Sequence, residues 1–240
     1  MAAIRDNLQA VSERIARAAA AAERKRDSVR LLAVSKTHPV ALIEEALRAG
    51  QGAFGENYVQ EALEKMDALT RLVGEARAGD VEWHLIGPLQ SNKTRVVAER
   101  FDWVQSVSSV KVARRLSDQR SVDRPPLNVL IQVNSSAEAS KSGVAPADAP
   151  ALAHAVAQLP RLRLRGLMAI PEPVRDPAVQ RARFRAVDDL YQRLQREGFA
   201  LDTLSLGMSD DLEAAIAEGS TMVRVGTAIF GARRKERDAA

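Results

Sequence analysis

The sequence contains no cysteine, which removes disulfides, thiolate nucleophiles and the common zinc frameworks together and is compatible with a reducing compartment. Aromatic residues make up only 4% of the chain, too few for the interleaving of stacking rings with basic residues that nucleic-acid surfaces use. The net charge is +4, from 35 basic and 31 acidic residues, and the one concentrated basic run is Arg233, Arg234, Lys235 and Arg237. A solvated tail accounts for that run, so no nucleic-acid partner is expected. No stretch approaches the roughly 18 uninterrupted apolar residues of a membrane span, and Asp6, Glu13 and Glu23 interrupt the alanine-rich start where a signal core would lie. The protein is therefore expected in the cytoplasm. No G-x-x-x-x-G-K and no G-x-S-x-G occurs, so the P-loop and the nucleophile elbow are missing. His38, His84 and His154 lack metal-like spacing, and each reads as a structural residue.

What the chain does have is an ordinary globular composition, 46% hydrophobic and 28% charged, over 240 residues, enough for one large core. Ile4, Leu8, Val11 and Ile15 recur at helical spacing and define an amphipathic first helix. Eight short apolar runs follow: Arg30 to Ser35, Ala53 to Glu56, Trp83 to Gly87, Trp103 to Val107, Leu127 to Asn134, Leu164 to Ile170, Thr203 to Gly207 and Thr221 to Gly226. Stretches of helical periodicity separate them, for example Val40 to Ala49, Asn57 to Leu72 and Ala178 to Glu197, with a short Thr227 to Gly231 piece at the end. Alternating strands and helices imply parallel strands joined by right-handed crossovers. Eight of them predict a single (β/α)8 TIM-type barrel, an α/β fold with an extra N-terminal helix, spanning residues 1–240 as one domain. A doubly wound open sheet is the alternative, but it would ordinarily carry a nucleotide fingerprint near its first turn, and no G-x-G-x-x-G is expected in this chain. The linker-like stretches Ser117 to Pro126 and Ile170 to Pro177 are assigned to barrel loops.

In such barrels the C-terminal strand ends face the catalytic mouth, and a phosphate site commonly forms after strands seven and eight. Leu32, Val34 and Lys36 alternate on one face of the first strand; with the two aliphatic residues inside, Lys36 points inward too. Burial favours the neutral amine, the form that attacks an aldehyde. The same position is open to a lysine that reaches solvent or pairs with Glu56. Ser205 and Gly207 close strand seven, with Ser209, Asp210 and Asp211 in positions of a helix cap and first turn; Gly226 and Thr227 close strand eight. Two glycines, two hydroxyls and two helix starts suit a phosphate, although the glycines alone are equally explained by tight turns. Arg224 shares the face of Gly226 and needs a partner inside the barrel, either a ring nitrogen or a carboxylate. Asn57 stands where it can bond a ligand or cap the following helix.

The motifs Leu32-Ala-Val-Ser-Lys36-Thr, Phe54-Gly-Glu-Asn57-Tyr, Trp83-His-Leu-Ile-Gly-Pro-Leu-Gln-Ser-Asn-Lys93, Leu127 to Asn134, Ser140-Lys-Ser-Gly143, Gly166-Leu-Met-Ala-Ile-Pro171, Leu206-Gly-Met-Ser-Asp-Asp211 and Val223 to Gly231 resemble, in order, those of the pyridoxal-phosphate homeostasis protein family (YggS/PROSC type). That family is similar in fold to the N-terminal barrel of alanine racemase. The resemblance implies that Lys36 carries pyridoxal 5′-phosphate as a Schiff base. It further implies that Ser205, Gly207, Gly226 and Thr227 surround the phosphate, that Arg224 faces the pyridine nitrogen, and that Asn57 and Met168 lie near the ring. The implied role is vitamin B6 and amino-acid homeostasis without firm enzymatic activity, with apo forms of pyridoxal-phosphate enzymes as candidate recipients. A monomer is expected. A racemase-like or decarboxylase-like enzyme is the competing reading; such relatives add a second domain of 50 or more residues, whereas here the barrel consumes the chain.

Overall fold

The computed structural model describes residues 2–135, 142–174 and 176–232; the basic run from Arg233 and the first half of the Ser140 motif, Ser140 and Lys141, lie outside the described residues. The chain opens with α1 (Ala2–Ala21), β1 (Arg30–Val34), α2 (Val40–Arg48), β2 (Ala53–Glu56), α3 (Val59–Val73), α4 (Glu75–Gly79) and β3 (Glu82–Leu85). It continues through α5 (Thr94–Arg100), β4 (Trp103–Val107), α6 (Val110–Gln119), β5 (Leu127–Val133), α7 (Ala149–Ala157) and β6 (Leu162–Ala169). The last elements are α8 (Pro177–Arg196), β7 (Thr203–Ser205), α9 (Leu212–Ala217), β8 (Met222–Val225) and α10 (Thr227–Phe230). All eight strands pair in parallel, and β1 joins both β2 and β8, so the sheet closes into a barrel in sequence order. The expected architecture, N-terminal helix included, is the one observed.

Strand alternation divides the core into two layers. Leu32, Val34, Ala53, Ile86 and Met222 form one cluster inside the barrel, and Trp103, Leu130 and Met168 form another. The opposite faces, among them Ala33, Phe54, Leu85, Val104, Ile131 and Val223, pack against helix residues such as Ile43, Met66, Leu116, Phe184 and Ile216. The placement of Leu32 and Val34 inside, on which the direction of Lys36 rests, therefore holds.

Helix α1 buries the stripe Ile4, Leu8, Val11 and Ile15 and fastens the turns at the end of the barrel. Asn7 Nδ2 donates to the Ile229 carbonyl at 2.9 Å, and Arg14 Nη2 donates to the Ser209 carbonyl at 3.1 Å. Its role is thus to brace the loops after β7 and β8.

Several boundaries differ from the expectation. Residues 117–119 belong to α6 and not to a loop: Ser117 is buried, and Arg120 ends the helix by donating to the Ala98, Phe101 and Pro125 carbonyls. Helix α3 starts at Val59, two residues later than the periodicity suggests. The spacing G-x-G-x-x-G does occur once, from Gly50 to Gly55. It runs from the end of α2 into β2, the reverse of the strand-turn-helix order that presents amides to a pyrophosphate.

Candidate functional site

Lys36 lies two residues beyond the end of β1, partly exposed, between two residues whose backbones are fixed. On one side the Ser35 carbonyl accepts a hydrogen bond from Lys65 Nζ at 2.7 Å, and Ser35 Oγ donates to Glu56 Oε1 at 2.7 Å. On the other, Thr37 adopts φ 65°, a left-handed conformation that costs a β-branched residue energy. Its N–H donates to Glu61 Oε1 at 2.5 Å. Lys65 joins both sides by also reaching Glu56 Oε1 at 2.8 Å and Glu61 Oε1 at 2.5 Å. Burial raises the Glu56 carboxyl above its ordinary range, against the opposing effect of the Lys65 charge and hydrogen bond. Glu56 Oε1, weighed as a partner for Lys36, is thus occupied by Lys65 and Ser35.

The end of β8 lies against this clamp. A methyl group added at Gly226 would sit 3.0 Å from the Val34 carbonyl oxygen, so the absence of a side chain lets the two strand ends touch. Thr227 opens α10 with its side chain exposed. Across the rim, Gly207 has φ 89°, and an added methyl would meet Ala215 Cβ at 2.6 Å; only glycine fits this turn. Asp211, expected as a cap, turns its carboxylate back to accept the Met208 N–H at 2.6 Å.

Beneath the rim, Arg224 is 3% exposed. Its Nη1 donates to the Ser205 carbonyl and Oγ, both at 2.7 Å, and its Nη2 to the Ala169 carbonyl at 2.9 Å. No interior carboxylate takes the guanidinium among these bonds. Burial pushes its pKa down to about 10, partly offset by the Asp211 charge, so it stays protonated at neutral pH. The Ser205 hydroxyl, expected at the phosphate, is fully buried and donates downward to Gln105 Oε1 at 2.7 Å. Met168 is in register with Ser205 and packs on Trp103 and Leu130 as part of the floor.

A pocket of about 350 Å³ opens at the mouth, lined by Asn57, Ile86, Gln132, Ser142, Ile170 and Pro171 among others. Asn57 does not cap α3, whose cap position is Tyr58 with no side-chain bond. Its buried Oδ1 has no hydrogen-bond partner among the described residues, and the same is true of Ser106 Oγ and Ser135 Oγ. Buried acceptors without partners are costly unless a ligand or water completes them. An amine at Lys36, unsatisfied polar atoms, a buried cation below and two glycine turns above suit a small molecule with an aldehyde, a polar ring and a phosphate.

Among the expected site residues, Gly226 packs on the end of β1, Thr227 starts α10 beside it, Asn57 lines the mouth pocket and Gly207 shapes a rim turn, while Arg224, Ser205 and Met168 lie in the buried layer. Sequence reasoning missed Lys65, Glu61 and Gln105 and read His84 only as structural. The Glu61–Lys65 spacing of four residues is a helix-face pair, but nothing in it tells that the lysine turns inward toward β1.

The barrel with a lysine after its first strand and an arginine in its last defines the class. A family model described as "Alanine racemase, N-terminal domain" matches residues 6–234. Among curated relatives, the "Pyridoxal phosphate homeostasis protein" of Pseudomonas aeruginosa is 58% identical over 233 residues, 97% of each chain. The protein of the same name from Escherichia coli is 54% identical over 230 residues, 96% of this chain and 97% of that one. The chain belongs to the pyridoxal phosphate homeostasis protein family. Two solved structures of PipY from Synechococcus elongatus, one without PLP and one with PLP bound, superpose with TM-scores of 0.82 and 0.81 at 39% and 38% identity. Each covers 95% of this chain and 100% of PipY. Alanine racemase from Corynebacterium glutamicum shares the fold at 18% identity and a TM-score of 0.71, covering 96% of this chain and 61% of that one.

Proposed function

We propose that this protein binds pyridoxal 5′-phosphate at the barrel mouth, attached to Lys36, and acts in intracellular vitamin B6 and amino-acid homeostasis as a non-catalytic carrier. Lys36 would hold the cofactor through its aldehyde carbon as a Schiff base, with water as the other product. Gly207, Gly226 and Thr227 surround the phosphate with backbone amides and one hydroxyl, Asn57 and Met168 border the ring, and Ser205 contributes by holding Arg224. The protein works as a cytoplasmic monomer that passes the cofactor to apo enzymes.

The observation that carries this reading is the buried guanidinium of Arg224, on β8 in register with Leu32 of the strand that leads to Lys36, in a chain whose relatives are named for the cofactor. It also argues for handling over turnover. When bound, pyridoxal phosphate supplies an electron sink for amino-acid chemistry, strongest when its ring nitrogen is protonated by an acidic partner. A guanidinium only donates hydrogen bonds and stays charged. Facing that nitrogen, Arg224 would keep it unprotonated and leave the barrier to proton abstraction high.

The test follows exchange of the amino-acid α-proton for deuterium by NMR, with loaded protein and alanine or other amino acids in heavy water. The expected result is exchange far below ordinary turnover of about 1 to 10³ per second. Exchange at enzyme-like rates would replace the carrier reading with a racemase-like enzyme.

A further inference from the structure

A continuous line of hydrogen bonds crosses the barrel interior from Arg224 to the opposite end. Arg224 Nη1 donates to Ser205 Oγ at 2.7 Å, Ser205 donates to Gln105 Oε1 at 2.7 Å, Gln105 Nε2 meets His84 Nδ1 at 3.0 Å, and His84 Nε2 meets Glu82 Oε1 at 2.5 Å. Ser205, Gln105 and His84 are each wholly buried.

The direction of every bond follows from the two ends. The Glu82 carboxylate, also held by Arg30 Nη1 at 2.9 Å, only accepts, so His84 Nε2 carries the hydrogen. Burial lowers the imidazole pKa, against the opposing pull of Glu82, so the ring is neutral and its Nδ1 accepts. Gln105 must then present its amino group to His84 and its carbonyl oxygen to Ser205. The hydroxyl has one hydrogen, which goes to that oxygen, and its lone pair is left for Arg224. Each link has one role open to it, and reversing any one breaks its neighbours. The imidazole also stacks on Trp103 at 5.0 Å, and Gln105 Nε2 lies 3.2 Å from Met222 Sδ, so neither side chain has room to turn. The charged groups facing His84 are Glu82 on its own strand, Arg30 from β1 and Asp102 beside β4; Asp211 faces Arg224.

We propose that Gln105 and His84 are positioning residues for Arg224: they pin the guanidinium in one orientation through a one-way chain of donors ending at Glu82. The inference rests on the cofactor reading above for the consequence at the ring, but the chain itself is a property of the free protein. A barrel interior needs only volume at these positions, and aliphatic side chains would supply it. Three linked polar residues aimed at one arginine instead point to control of that arginine.

The experiment combines two readouts. In the free protein, long-range ¹H–¹⁵N spectra should show His84 as the neutral form with its proton on Nε2, unchanged between about pH 6 and pH 9. Gln105→Glu places a carboxylate against Nδ1 and should convert the ring to imidazolium, with protons on both nitrogens. In the loaded protein, the same variant brings negative charge toward Arg224 and should raise the pH midpoint of the visible band by about one unit. Gln105→Leu should weaken retention of pyridoxal phosphate about threefold to tenfold, the loss of one neutral hydrogen bond. A histidine with its proton on Nδ1, or one that titrates near pH 6.5 in the unmodified protein, would overturn the proposal. So would an unmoved midpoint in Gln105→Glu with Lys36 still labelled by borohydride. Absence of label on Lys36 in the unmodified protein would sink the functional reading instead, and the tautomer in the free protein would still decide this one.

Discussion

The backbone N–H of Thr37 donates to the Glu61 carboxylate at 2.5 Å, and this bond holds the residue after Lys36 at φ 65°. A left-handed β-branched residue persists only where its surroundings over-determine it. Here the surroundings are Glu61 on α3 and Lys65 one turn further on, which ties Glu61, Glu56 and the Ser35 carbonyl into one cluster. The amine that is proposed to carry the cofactor is thus set on a piece of backbone held by residues of α3 and β2.

Removing the central cation should show this. Lys65→Met leaves the fully buried Glu56 without its counter-charge, a loss of about 3–5 kcal/mol, which for a chain of this size lowers Tm by roughly 10 °C. The pH dependence has a definite sign. Glu56 already has a raised folded-state pKa, so its protonated form is the better tolerated, and stability is lost as pH rises through that value. The variant raises it further. Thermal melts should therefore show a larger deficit at about pH 8 than at about pH 5, and an equal deficit at both would count against the clamp.

The rim glycines differ in kind. Gly207→Ala puts a side chain at φ 89° and 2.6 Å from Ala215 Cβ, so it should cost about 1–3 kcal/mol of stability together with cofactor affinity. Thr227 is exposed at the start of α10, so Thr227→Ala should leave the melt unchanged while weakening retention about tenfold to a hundredfold, the loss of one bond to a charged group. Paired calorimetry and equilibrium dialysis separate the two. A Thr227→Ala protein with unaltered affinity would place the phosphate elsewhere.

Acid should weaken the barrel from its N-terminal end. The His84 pKa is lowered by burial, so the unfolded chain binds the proton more readily and stability falls as pH drops below the ordinary histidine value. Burial opposes ionisation of Glu82, but the hydrogen bond from His84 and the Arg30 charge outweigh it and hold the carboxyl at about 2. Its contribution is present above the ordinary carboxylate value and is lost as pH falls toward 2. Chemical denaturation between about pH 7 and pH 4 should show falling stability, with a shallower slope in His84→Gln. Equal slopes would mean that this pair is not what titrates.

Strand count, order and the inward face of β1 were legible in the sequence because each depends on local alternation: Leu32 and Val34 sit inside as parity requires. The glycine turns were legible for the same reason. The layer beneath the mouth was not. Ser205 looked like a phosphate ligand because it ends a strand, yet its hydroxyl serves Gln105 on β4, 100 residues earlier. His84 lacked any motif, and its role comes from Gln105, 21 residues later and on the neighbouring strand. Lys65 reads as a helix-surface charge until the strand register places Ser35 and Glu56 beside it. Interactions set by closure of the barrel leave no spacing signal along the chain.

The account turns on Lys36, and one chemical step tests it. The purified protein is incubated with pyridoxal 5′-phosphate, reduced with borohydride, digested and mapped by mass spectrometry, beside Lys36→Ala treated alike. The account predicts a visible absorbance and a reduced pyridoxyl adduct on Lys36 in the unmodified protein. In Lys36→Ala both should be missing while cooperative thermal unfolding is retained, because a mouth lysine contributes chemistry and not core volume. An adduct spread over other lysines, or the same yield and colour in Lys36→Ala, would contradict it.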